Sequence, residues 1–334
     1  MEQRTLITKD RGTTGRDVSV VGLGTWQLGA DWGSVSEADA HAVLEASVEA
    51  GVTFFDTADV YGDGRSEQVI GSFRASHPDV VVATKMGRRQ DQVPENYTLD
   101  NFRSWIDRSR RNLGVDSLDL VQLHCPPTAV VEADRVYDDL DTLVSEGAIA
   151  AYGLSVETCD QALAAIARPH VATIQIILNA FRLKPLDEVL PAAAAAGVGI
   201  IARVPLASGL LSGKYDETTT FAADDHRTYN RDGSAFDVGE TFSGVDFPTG
   251  VRAAREFSDL IDSVGPTGLS PAEVALAWVW QQPGVTTVIP GARNAAQARA
   301  NAAAGDADPL PAAFLSGVSD LYDRHFREAV HGRW

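Results

Sequence analysis

The chain has 334 residues, 44% of them apolar, and a formal net charge of −18. The length exceeds that of an average domain but suits an α/β barrel folded as one unit. Such an acidic surface repels nucleic acid and anionic lipid, no run of roughly eighteen apolar residues can span a bilayer, and two cysteines, Cys125 and Cys159, cannot build a disulfide framework.

In chain order, the opening MEQRTLITKDRG is polar and lacks the apolar region of a signal peptide, which with the sparse cysteines predicts a reducing, cytoplasmic setting. Short runs rich in Val, Ile and Leu then recur at residues 18–23, 53–55, 80–83, 118–123, 148–153, 173–177, 199–202 and 285–289, the pattern of strands buried on both faces. Helical patterns separate them at 36–50, 66–74, 99–113, 132–146, 158–167 and 186–196, followed by 251–263, 271–281, 295–303 and 312–328. Ser36 reads as an N-cap and Gly51 as a stop for the first of these.

Eight strands alternating with helices predict a parallel sheet closed as a (β/α)8 barrel, one domain over residues 1–334. The alternative is a doubly wound open sheet, which would carry G-x-G-x-x-G after its first strand; GLGTWQLG here has Gln27 where a glycine belongs. The one long irregular stretch, residues 214–250, follows the seventh strand. A loop of that length is either a functional lid or disordered, and a mobile lid over the site is the reading adopted here.

Barrel active sites lie at the C-terminal ends of the strands. The polar residues there are Asp56 and Tyr61, then Thr84 and Lys85, then His124, Ser155, Gln175 with Asn179, and Arg203. Lysine is scarce, four among 28 basic residues, so Lys85 at the end of an apolar strand stands out. Together Asp56, Tyr61, Lys85 and His124 make a tuned general acid. A phenol with a pKa of about 10 is a poor donor, a neighbouring ammonium lowers that value, a carboxylate fixes the ammonium, and a histidine orients a carbonyl. Such an acid calls for a nucleophile at carbon, and hydride from a nicotinamide supplies one. Asp59 reads as a helix N-cap or turn residue. Any one of the four alone has an ordinary structural explanation; their placement on three consecutive strands is what carries the reading.

The sequence resembles the aldo-keto reductase superfamily over nearly its whole length. The resemblance rests on GLGTW (22–26), GVTFFDTADVYG (51–62), TKMG (84–87), LGVDSLDLVQLH (113–124), YGLS (152–155), Q-x-x-x-N (175–179), PLASGLLSGKY (205–215) and IPGAR…Q…N (289–301). It implies NADPH-dependent carbonyl reduction on a (β/α)8 barrel, with the catalytic tetrad falling on Asp56, Tyr61, Lys85 and His124. By position it assigns the cofactor to Gly24, Thr25, Trp26, Asp56, Ser155, Gln175 and Arg203, to Leu206, Ser208, Gly209, Leu210 and Lys214 around the pyrophosphate, and to Gly291, Arg293, Gln297 and Asn301 at the adenosine end. Arg293, opening the last barrel helix, suits the 2′-phosphate of NADP.

Three positions depart from the family pattern. Val156 stands where Asn often follows the serine, Leu178 where Tyr often precedes Asn179, and Arg203 where an aromatic ring usually stacks on the nicotinamide. A stacked Arg203 would favour neutral NADPH over cationic NADP+; the alternative is that it pairs with a carboxylate of 214–250. Trp26, Trp32, Tyr61 and His124, with Phe236 or Phe242, suggest an aromatic-lined pocket for aryl or aliphatic carbonyls. The competing function is an NADP(H)-binding regulatory or redox-sensing protein on the same fold. A metal-dependent barrel isomerase carries less weight, because the strand ends lack a metal-ligand cluster.

Overall fold

A computed structural model describes the chain apart from Thr14, residues 30–34 and Phe236. Trp32 and Phe236 therefore lie outside the described residues. Two antiparallel strands open the chain, β1 (Gln3–Ile7) and β2 (Arg16–Ser19). Eight parallel strands follow: β3 (Leu23–Gly24), β4 (Phe54–Asp56), β5 (Val81–Met86), β6 (Leu120–His124), β7 (Tyr152–Ser155), β8 (Val171–Ile177), β9 (Gly199–Arg203) and β10 (Thr287–Val288). Each pairs with the next, and the backbone N–H of Gly22 donates to Val288 O at 2.8 Å while that of Val288 donates to Val20 O at 2.9 Å, closing the ring. The expected (β/α)8 barrel is what forms.

The first expected strand, 18–23, is divided between two structures. Val18 and Ser19 pair with β1, and pairing with β10 begins at Val21. Leu6, Ile7 and Val18 join Phe54, Val81, Leu120 and Ile201 in one apolar cluster, so the hairpin plugs the N-terminal floor of the barrel. The fit is close: a Cβ on Gly199 would stand 2.3 Å from Leu6 O. Six consecutive apolar-rich residues read as one strand, but burial against two different partners splits them.

Helix ends follow their caps. Ser36 Oγ accepts from Asp39 N at 3.1 Å to start Glu37–Glu49. Thr158 and Gln161 form a capping box before Cys159–Ile166. The helix expected over 132–146 forms as Asp134–Ser145, and a short turn of helix, Thr128–Val131, precedes it, separated by the extended Ala133. The last one breaks at Phe326, giving Ala312–His325 and Arg327–Val330.

The stretch 214–250 is not structureless. It holds a helical turn at His226–Tyr229, and its end belongs to the helix Phe247–Val264, capped by Asp246. Phe221, Phe242 and Phe247 pack ring against ring, Phe242 to Phe247 at 4.9 Å between centroids. Phe242 is thus a core residue, 1% exposed, rather than a pocket wall. Asn179 Nδ2 donates to Ser243 Oγ at 2.7 Å, tying the insertion to the end of β8. The aromatic cluster and this hydrogen bond pack Phe221 and the segment around Phe242 and Ser243 against the barrel rim, while much of 216–224 is exposed.

Candidate active site

Period-two alternation along each strand sends alternate side chains into the lumen. Ala83 and Leu120 face the apolar lumen cluster, so Lys85, Gln122 and His124 project from the same faces nearer the C-terminal end. Register does the rest: Gly24 pairs with Asp56, Lys85 with Gln122, His124 with Ser155, and Ser155 with Gln175. A ring of polar side chains therefore crowns an apolar barrel.

At its centre the Lys85 ammonium donates to Asp56, to Thr57 O at 2.9 Å and to the Tyr61 hydroxyl at 3.4 Å. Lys85 is 1% exposed and Asp56 2%. A buried pair of this kind needs further hydrogen bonds to offset desolvation. Asp56 Oδ2 has two, from Gln122 Nε2 at 3.1 Å and Gln175 Nε2 at 2.8 Å. Burial opposes the Lys85 charge, but Asp56 and Tyr61 outweigh it and raise the lysine pKa. Tyr61 closes the group. Its ring lies at 6.2 Å and 26° to Trp26, and edge-on to His124 at 6.0 Å between centroids.

The balance at Tyr61 differs from the expected one. Burial raises the phenol pKa by more than the Lys85 charge lowers it. The hydroxyl therefore stays protonated at neutral pH, while Lys85 remains placed to meet negative charge that develops on it. Burial, and then the charges of Arg88, Lys85 and Arg203, hold His124 well below its ordinary pKa, so the imidazole is neutral. Its Nδ1 is buried with no hydrogen-bond partner among the described residues.

Asp59 is not an ordinary turn residue. It is fully buried, neither carboxyl oxygen has a hydrogen-bond partner among the described residues, and burial with the nearby Glu67 charge raises its pKa to about 7. Its backbone is engaged instead: the N–H donates to Lys85 O at 3.1 Å, and the carbonyl accepts from Arg108 at 2.9 Å and Arg89 at 3.4 Å.

Arg203 meets Glu157 at 2.9 Å and Glu240 at 3.5 Å, and donates to Val156 O at 3.1 Å. The alternative reading, a carboxylate of 214–250 as partner, describes this arrangement. With two carboxylates against it the guanidinium is no lone cation, so the expected bias between neutral and cationic nicotinamide loses its electrostatic basis. Cys125 joins this group at φ +50, and its Sγ and the carboxylates of Glu157 and Glu240 lie within 4.8 Å of one another. Arg88 and Arg203 stand where a cation would sit against them. Gln122, Arg88, Glu157 and Glu240 were not singled out from the sequence. Glu157, two residues past Ser155 at a strand end, was the one with a local signal.

The other family positions are distributed around this crown. Thr25 Oγ1 donates to Asp56 O at 2.8 Å and so holds the end of β4. Trp26 lies 5.2 Å from the His226 ring between centroids. Leu206 precedes a turn in which Ser208 (φ +55) and Gly209 (φ +96) are left-handed, and Leu210 is buried. Ser208 Oγ donates to Glu240 O at 3.1 Å, and Lys214 is exposed. On the opposite side of the last strand, Gly291 O accepts from Asn301 Nδ2 at 3.1 Å, and Gln297 Oε1 accepts from Arg293 N at 2.9 Å. Arg293 is exposed just before the helix Ala295–Ala303, and its charge is close enough to Tyr215 and His226 to act on both.

The fold is thus a closed (β/α)8 barrel with a buried Lys–Asp–Tyr group and a neutral histidine at the C-terminal ends of its strands, where barrel active sites lie. The chain belongs to the aldo/keto reductase family, whose profile matches residues 20–323. Among its relatives is the oxidoreductase YqkF of Bacillus subtilis, 29% identical over 94% of this chain and 97% of the relative. The oxidoreductase Rv2298 of Mycobacterium tuberculosis is 31% identical over 95% of this chain and 93% of its own. An aldo-keto reductase from Bacillus halodurans, described in its holo form, superposes with a TM-score of 0.76 at 25% identity and 99% coverage of both chains. No helix among the described residues is long and apolar enough to cross a membrane.

Proposed function

We propose that the protein reduces the carbonyl of a small aldehyde or ketone to an alcohol, taking hydride from NADPH. The observation that carries this reading is the Lys85 ammonium, fixed by Asp56, 3.4 Å from a protonated Tyr61 hydroxyl. Tyr61 would give its proton to the carbonyl oxygen as negative charge develops there, and Lys85 would stabilise the phenolate left behind. His124, neutral and edge-on to Tyr61, would donate an N–H to the same oxygen and set the angle of the carbonyl.

The residues fit a nicotinamide dinucleotide. Ser155 and Gln175, in register on adjacent strands, would meet the carboxamide; the Gln175 nitrogen is committed to Asp56, which leaves its Oε1 for that contact. The left-handed turn at Ser208 and Gly209 would follow the pyrophosphate, and Arg293, exposed before a helix N-terminus, would meet a terminal phosphate. When bound, the nicotinamide supplies the hydride; the protein supplies position and the proton. Loss of NADPH absorbance with a panel of aldehydes tests the reading. Tight NADPH binding with no turnover on any carbonyl would favour the regulatory alternative.

A further inference from the structure

The residue after His124 is strained. Cys125 sits at φ +50, in the left-handed region that a residue with a Cβ rarely adopts. Such a conformation persists only where its surroundings hold it. The chain beyond gives little help, because Pro126 and Pro127 carry no backbone N–H. What holds the turn comes from beside the two flanking strands, β5 and β7. On the β7 side the Cys125 N–H donates to Ser155 O at 3.0 Å. On the β5 side stands Gln92, in the loop between β5 and the helix Leu99–Leu113. Its Nε2 donates to His124 O at 2.9 Å and to Cys125 O at 3.0 Å. A backbone carbonyl only accepts, so both contacts require the amide nitrogen. The same nitrogen lies 3.1 Å from the hydroxyl of the buried Tyr97, which keeps the amide in place.

This grip matters because of what His124 lacks. A functional imidazole is commonly oriented by a hydrogen bond at its second ring nitrogen. His124 Nδ1 is buried and has no such partner among the described residues. The direction of the ring, edge-on to Tyr61 at 6.0 Å between centroids, is therefore left to packing and to the backbone that carries it. The two carbonyls that Gln92 holds belong to the peptide units on either side of Cys125, the first of them His124's own. None of the Gln92 hydrogen bonds reaches Asp56, Tyr61 or Lys85.

Building on the carbonyl-reductase reading, we propose that Gln92 is a positioning residue: its side-chain amide holds the left-handed turn at Cys125 and thereby aims the His124 imidazole at the substrate carbonyl. Gln92 acts through the His124 backbone and meets neither substrate nor cofactor.

Two substitutions remove the grip. Gln92→Leu takes away the donors, and Gln92→Glu keeps the shape but replaces them with acceptors. With propanal and benzaldehyde as probes, the single-turnover rate of NADPH oxidation should fall roughly 10–100-fold in each, because a displacement of about 1 Å costs up to about 10²-fold, while NADPH affinity stays within about threefold. Glycine adopts positive φ without strain, so in a Cys125→Gly background the same substitutions should lower the rate by less than about threefold. General loosening of the loop would not be rescued in this way. Unchanged rates in both folded variants overturn the proposal, as does an equal fall with and without Cys125→Gly. The NMR signal of the His124 ring, identified by its loss in His124→Gln, reads the same displacement without turnover. It should move in Gln92→Leu and be left unmoved by that substitution once Cys125 is glycine; a signal that does not move in Gln92→Leu overturns the positioning role. Oxidation of NADPH by neither aldehyde, nor by any other carbonyl, would instead overturn the reductase reading, and the ring signal alone then decides whether Gln92 sets the imidazole.

Discussion

The Lys85 ammonium stands 3.4 Å from the Tyr61 hydroxyl while Asp56 holds it from the other side. The phenol is thus next to a fixed charge but is not made acidic by it, because burial weighs more. Removing the hydroxyl alone, by Tyr61→Phe, should leave folding and NADPH affinity intact. Carbonyl reduction should fall by roughly 10²–10⁴, the usual contribution of a general acid. Single-turnover rates check this, and near-normal rates would remove Tyr61 from the mechanism.

The same electrostatics set a pH profile. On the proposed mechanism, reduction requires Tyr61 protonated and His124 neutral. The phenol titrates above its ordinary value of 10.0 and the imidazole well below 6.5, so kcat/KM for reduction should be level between pH 7 and 9. It should decline only in strong alkali as the phenol ionises. A decline centred within that neutral window would mean that some other group delivers the proton.

Lys85→Met would leave the Asp56 carboxylate buried without its cation. Breaking a buried pair costs about 3–5 kcal/mol. The amides of Gln122 and Gln175 remain on Asp56 Oδ2, so the loss should fall at the lower end of that range. Urea unfolding at neutral pH measures it, and a change below about 1 kcal/mol would show that the site relaxes around the lost cation.

Asp59 should make stability fall as pH rises. Its folded pKa, about 7, is raised above the 3.8 of an unperturbed carboxyl, with Glu67 adding to burial and Arg89, Arg108 and Lys85 opposing it. Between these values the folded chain keeps a proton that the unfolded chain releases, so the penalty grows through the window and is complete above it. Asp59→Asn mimics the protonated form. It should match the parent near pH 4 and be more stable by up to about 4 kcal/mol at pH 8, as followed by thermal or urea melts. An equal difference at both pH values would rule out titration as the cause.

Arg293 should set the choice between dinucleotides. A charge-assisted hydrogen bond contributes about 1.5–3 kcal/mol, or roughly ten- to a hundredfold in affinity. Titration of NADPH and NADH into the protein and into Arg293→Ala should show that preference and its loss. Equal affinities in the parent would place the phosphate elsewhere.

Eight βα units, and the placement of Asp56, Tyr61, Lys85 and His124 at the ends of three of them, were legible in the sequence. Strand and helix periods are local, and in a barrel the last residues of a strand face the mouth whatever the rest of the chain does. The caps at Ser36 and Thr158 are local for the same reason. What only the tertiary structure decided depends on who meets whom. Val18 looks like its neighbours in a strand, yet it seals the barrel floor because β1 folds back to pair with it. Asp59 sits in a turn like many aspartates, and the burial of its carboxyl with no hydrogen-bond partner among the described residues comes from packing rather than from its neighbours in sequence. The ion pairs among Arg88, Glu157, Arg203 and Glu240 join residues from four separate segments, one of them in an insertion with no regular pattern. Desolvation and charge pairing are properties of distances in space, and for residues this far apart along the chain those distances exist only once the barrel has closed.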